Sequence, residues 1–324
     1  MEEFKATQIT EEESEKLSRK DRKKLEKAED SGHGFKFGTF LKSLLPMLLL
    51  VIVQLVAFMP PIMSAAFRVL ARPDAEEITS DMTSYISAVM DEAGDAVQYG
   101  YLAYAIVGIL IFGWWYYKSF ASKTEKRPVK KAFTKKGFPF VLLMIFGAWG
   151  LTEGLMAAMG VLFPDLIEEY AELIESTGLS GGSWAIMLVV WLLGPVVEEL
   201  CFRGLSYNYL LKSGLPVAAA VALQGIFFGV FHMNLVQGIY ASILGIIIGF
   251  CYARYKSIFV SISCHVFFNL LGTICSGVLE MIAPPVPVYI VLGLAGVALV
   301  VMSVVKVCKD AEAPSGVIPA ASDV

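Results

Sequence analysis

Histidine is scarce in this 324-residue chain: there are three, and His33 falls in a polar amino-terminal stretch. No H-E-x-x-H run occurs, so the zinc-protease arrangement that takes two imidazoles and a base from one helix is not available. The five cysteines, Cys201, Cys251, Cys264, Cys275 and Cys308, form no spaced pair of the kind that holds zinc or a disulfide framework. They read as small packing residues. Charge is also thin, at 17% of residues, and is confined to a few blocks. A net charge of −4 says less than that distribution. Nothing in it points to nucleic acid. No internal repeat or low-complexity array appears, which leaves one membrane domain and argues against the inverted-repeat transporters.

What the chain has in quantity is apolar sequence. Hydrophobic residues make up 56% of it, in runs of about 20 residues, the length that crosses ~30 Å of hydrocarbon. The fold class expected is all-α: a polytopic transmembrane helical bundle of about eight spans. They lie at roughly 39–59, 98–117, 138–163, 184–209, 215–233, 235–255, 257–278 and 286–305. Residues 1–37 are charged, cannot bury a core, and are read as a disordered cytoplasmic tail. Residues 38–306 form the membrane domain and 307–324 a short cytoplasmic tail. Nearly all of the 26 Lys and Arg fall on one side of this arrangement, Arg68 and Arg72 being outside it, so both termini are expected in the cytoplasm. The address expected is a cell membrane, with the prokaryotic plasma membrane favoured by the short loops.

The outer loops are acidic. In the second, Leu166, Ile167, Tyr170, Leu173 and Ile174 recur at helical spacing opposite Asp165, Glu168, Glu169, Glu172 and Glu175, which predicts a short interfacial helix. Trp114 to Tyr117 reads as an aromatic belt at a span end.

Against this background Glu198 and Glu199 stand out, because two adjacent carboxylates at membrane depth must find partners or a wet cavity. Arg203 is four residues from Glu199 and can pair with it along one helix face. Glu198 points about a quarter turn away and has no partner on its own helix. Gly194-Pro195 just upstream should loosen the helix and free backbone groups. His232 ends the fifth span; His265 and Asn269 share a face of the seventh. A carboxylate and an imidazole can activate water, directly or through a metal. An imidazole and an amide can hold the oxyanion that forms when water attacks a carbonyl. Glu153, inside the third span, is a further buried acid with no assigned role.

Glu198-Glu199-x-x-x-Arg203, Phe228-x-x-x-His232 and His265-x-x-x-Asn269, in that order on later spans, resemble the CPBP intramembrane protease family, which includes the CAAX prenyl endopeptidases and the bacterial Abi proteins. The resemblance covers the motif-bearing core 184–278 and implies an intramembrane endopeptidase acting on a peptide or membrane protein in the bilayer. It implies that Glu198 and His232 activate water, that His265 and Asn269 hold the oxyanion, and that Glu199 and Arg203 support them. It leaves two mechanisms open. One is a metalloprotease with Zn2+ on Glu198, His232 and His265; the other is a metal-free, glutamate-dependent peptidase. The pocket is expected to open toward the cytoplasm. The rival readings are a non-catalytic immunity or scaffold protein that uses the same polar cluster to bind a partner and, less favoured, a proton-coupled transporter.

Overall fold

The computed structural model describes residues 34–123, 133–176 and 183–310. Most of the tails expected at 1–37 and 307–324 lies outside them. The described chain is helical throughout: α1 Phe37–Leu70, α2 Ala75–Thr79, α3 Met82–Ala93, α4 Val97–Ser119, α5 Phe138–Leu162, α6 Pro164–Ser176, α7 Trp184–Lys212, α8 Val217–Phe231, α9 Leu235–Tyr255, α10 Ile258–Ile282 and α11 Val286–Cys308.

Seven of these are long and apolar enough to cross a membrane, one fewer than the eight spans expected. The exception is α8, whose 15 residues rise about 22 Å against ~30 Å of hydrocarbon. It stops early because Met233 takes a left-handed backbone (φ 50°) and Asn234 then caps α9, its side chain accepting from the Gln237 N–H. His232, at the end of this short helix, therefore need not reach the far surface. That removes the mismatch in depth that a full-length fifth span would impose between His232 and Glu198.

The first span is longer than expected. Pro60-Pro61 reads as a stop, yet α1 continues through both prolines to Leu70. Its far end packs against α3, where Arg68 Nε donates to Glu92 Oε1 at 2.6 Å and Arg72 reaches the other carboxylate oxygen.

Helix α7 is the axis of the bundle. Half of the most apolar stretch of α7 and of α9 is buried, against 17% in α11, so α11 is a lipid-facing outer helix. Val197, Cys201, Phe202 and Leu205 of α7 are fully buried among α4, α8, α9 and α10. Helix α11 lies along α5, where Gly154 and Gly293 meet backbone to backbone: a methyl group on Gly154 would come 2.6 Å from the Gly293 Cα. Helices α8 and α9 close in the same way at Gly225 and Gly245. Lipid offers no hydrophobic drive between helices, so close contact of this kind supplies the packing attraction.

Candidate active site

Pro195 shapes the site before any charged group does. The segment Val189–Leu193 is π-helical, and the Gly194 N–H bonds the carbonyl of Val189, five residues back. The next bond in that series would run from residue 195 to the carbonyl of Val190, but proline has no N–H to give. Asn269 of α10 fills the place, its Nδ2 donating to the Val190 oxygen at 2.7 Å. A second π segment, Leu200–Tyr207, follows, and there Asn208 Nδ2 lies within 3.0 Å of the Arg203 carbonyl and 2.9 Å of the Gly204 carbonyl. The loosening expected at Gly194-Pro195 is thus a π turn closed from a neighbouring helix, a common device at functional sites.

Between the two π segments stand Glu198 and Glu199. Glu199 is completely buried, and its Oε1 accepts from Arg203 Nη1 and from His265 Nδ1, both at 2.8 Å. Arg203, equally buried, also donates from Nη2 to the Gly245 carbonyl at 2.9 Å. It lies 5.0 Å from the centroid of the Phe228 ring. Gln224 donates to the same Gly245 oxygen at 2.9 Å. This cluster sits behind the cavity wall.

Glu198 faces the other way, into a cavity of about 480 Å³. Its side chain is 16% exposed, and its Oε2 lies 3.6 Å from His265 Nε2. The four residues expected to act together, Glu198, His232, His265 and Asn269, all line this one cavity. They come from α7, the end of α8, and α10. Phe228 spaces the imidazoles, meeting His232 and His265 edge-on with ring centroids 4.9 and 5.5 Å away.

The partners decide the tautomer of each ring. His232 Nδ1 is 2.8 Å from the Phe228 carbonyl, which can only accept, so Nδ1 carries the proton. His265 Nδ1 likewise gives its proton to Glu199, whose carboxylate is charge-balanced by Arg203. In the neutral form both imidazoles therefore offer the cavity an Nε2 lone pair. Such an arrangement is suited to accepting protons.

Sequence reasoning did not single out Gln224, although residues 224, 228 and 232 fall on one face of α8 at helical spacing and Gln224 is polar in an otherwise apolar run. It likewise passed over Tyr104 of α4, which lines the cavity and is 6% exposed; one phenol in an aromatic-rich span carries no signal of its own. Glu153 does not join the site. It accepts from Ser276 of α10, whose hydroxyl also receives the Trp149 N–H at 3.0 Å, and lines a separate, smaller hollow with Tyr289. Among the described residues no group of three His, Cys, Asp or Glu side chains is placed to hold a metal ion.

The cavity, by its lining, extends toward one set of helix ends. Leu173 and Ile174 of α6 line it, with Tyr101 near the start of α4 and Gln237 near the start of α9. These positions lie at the helix ends opposite Lys118, Lys212 and Arg254. The cavity therefore reaches toward the side of the acidic α6, away from the basic side read as cytoplasmic. The motifs set which residues meet but carry no information on which helix ends splay apart. The Tyr170 and Tyr240 hydroxyls, 3.0 Å apart, join α6 to α9 at this rim. The helix forms as expected, with Asp165, Glu168, Glu169, Glu172 and Glu175 exposed and Leu166, Ile167, Tyr170 and Ile174 turned inward, although Leu173, expected on the inner face, is 43% exposed.

No curated protein and no solved structure matches the chain. Residues 180–271 match the family model described as "Type II CAAX prenyl endopeptidase Rce1-like", and that match, over the stretch carrying Glu198, His232, His265 and Asn269, supports a place for this multi-pass membrane protein in the CPBP/CAAX protease family.

Proposed function

We propose that the chain is an intramembrane endopeptidase that hydrolyses a peptide bond of a membrane-associated protein or peptide, with water as the nucleophile. The observation that carries this reading is one cavity lined by an acid, two imidazoles with Nε2 turned to it, and an amide. The family match, which suggests CAAX-type intramembrane proteolysis, supports it.

Glu198 accepts a proton from the attacking water while His232 Nε2 holds the water's second hydrogen. The carbonyl oxygen becomes an oxyanion, and Asn269 donates to it the amide hydrogen not engaged by Val190. The proton on Glu198 can cross the 3.6 Å to His265 Nε2. The imidazolium so formed is steadied by Glu199 at Nδ1, donates from Nε2, and supplies the proton that the departing amine needs. Glu199 and Arg203 do no chemistry on this reading; they fix the His265 ring. Hydrocarbon around the site strengthens each of these interactions by excluding bulk solvent.

The mechanism uses the protein's own groups, and no step passes through a metal. The cavity is lined from the ends of α4, α6 and α9 that lie away from the Lys-rich ones, which supports entry of a peptide substrate from the side opposite those basic ends. The test is incubation of the purified protein in liposomes with a panel of fluorogenic peptides, with and without chelator. Cleavage that survives chelation and vanishes in Glu198→Gln is the expected result. A Glu198→Gln protein that keeps its cellular phenotype would favour the binding or scaffold role instead.

A further inference from the structure

The cavity is rich in acceptors and poor in donors. Glu198 is a carboxylate, both imidazoles in their neutral form present lone pairs, and one Asn269 hydrogen is committed to Val190. At the moment of attack, before any proton has reached His265, the four motif residues together offer the developing oxyanion a single N–H. Sites that stabilise such an anion ordinarily aim two or more donors at it.

Tyr104 can supply the second. It belongs to α4, outside the matched segment, and its ring is packed in the main core. It lines the cavity floor, is only 6% exposed, and lies within electrostatic range of Glu198. No hydrogen bond joins its hydroxyl to another described residue, and that oxygen is not among the sealed buried ones, so it keeps access to the cavity. The other polar side chains on the wall differ in this respect. Tyr240 is joined to Tyr170, and Gln54 and Gln237 are only half-buried.

Resting on the peptidase reading above, we propose that Tyr104 is a further catalytic residue, its hydroxyl donating to the substrate carbonyl oxygen as that oxygen becomes an anion. No proton is transferred in this contact. The O–H remains on Tyr104 throughout, and the bond formed is a hydrogen bond that shortens as charge builds on the oxygen.

The experiment compares wild type, Tyr104→Phe and Glu198→Gln in liposomes. It uses a fluorogenic peptide that the wild type cleaves and the same peptide with a phosphinate in place of the scissile amide. Phenylalanine keeps the ring and its packing. Tyr104→Phe is expected to lower kcat about 100-fold with KM changed less than about twofold, and to weaken binding of the anionic phosphinate by a similar factor. A kcat within about twofold of wild type, or phosphinate affinity unchanged while kcat falls, would overturn the proposal. Failure of Tyr104→Phe to accumulate in the membrane would assign the hydroxyl to the fold and overturn it equally. If wild type cleaves nothing, the peptidase reading falls and takes this one with it. Cleavage that is lost in Glu198→Gln but kept in Tyr104→Phe removes Tyr104 alone.

Discussion

Two carboxylates in this protein have nearly the same local chemistry and opposite surroundings. Glu92, at the end of α3, accepts from Arg68 and Arg72; Glu199, in the middle of α7, accepts from Arg203 and His265. Arg68 and Arg72 are 49% and 37% exposed, whereas Arg203 and Glu199 have no exposure at all. Water and salt screen the first cluster, and long side chains lose entropy in making it, so it adds little. In the second nothing screens the charges, and removing one partner strands the other. The same pairing is nearly decorative in one place and obligatory in the other.

The largest effect expected comes from the neighbour that belongs to neither cluster. Glu198→Gln should lower kcat by about 10²- to 10⁴-fold while the protein accumulates normally, because it removes a proton acceptor and leaves the buried pair intact. Substantial turnover in that variant would mean that the wet wall of α7 is no more functional than Glu92. Next, Arg203→Ala should destabilise the bundle by about 3–5 kcal/mol, since it leaves Glu199 charged and half-paired in the core. Resistance of that variant to detergent denaturation at wild-type level would dissolve the contrast between the two clusters.

Asn269→Ala should reduce kcat roughly tenfold to a hundredfold with a smaller change in KM, the loss of one amide donor. A change confined to stability would assign Asn269 wholly to the Val190 carbonyl. The smallest effect is expected at the exposed corner. Glu92→Gln should leave the melting temperature unchanged within error at physiological salt. Arg72 first and Arg68 second hold the Glu92 carboxyl below the usual carboxylate range. Any stability it does add is therefore complete above the ordinary carboxylate pKa and disappears as pH falls through the lowered one. A low-salt acid titration that shows the α1–α3 corner loosening before the rest would locate it.

Much of this was legible in the residues. Apolar run length gave most of the spans, and the four-residue spacing of Glu199 with Arg203 predicted the ion pair found at 2.8 Å. The motifs predicted that Glu198, His232, His265 and Asn269 share a pocket. Illegible features were those set by contacts between distant segments. Pro60-Pro61 looks like an end, but α1 continues because its far half packs on α3. The fifth apolar run looks long enough to span until the left-handed Met233 shortens it. That His265 gives its Nδ1 proton to Glu199, leaving the cavity short of donors, depends on where α10 meets α7, and no spacing within either helix encodes it.

The π turn at Val189–Leu193 sets a phase as well as freeing a carbonyl. Each residue advances an α-helix by about 100°, and the turn already holds one residue more than an α turn, so inserting another there would rotate whichever part of α7 was free to move by nearly a third of a circle. With the second half of α7 anchored through Arg203, the first half would have to turn instead, carrying Trp184 and Trp191 to new faces. Single-residue insertions here should thus be far less tolerated than point substitutions of the same apolar side chains. In that sense the spacing between the indole-bearing entrance of the helix and its acidic centre is a clock setting, kept by length rather than by composition.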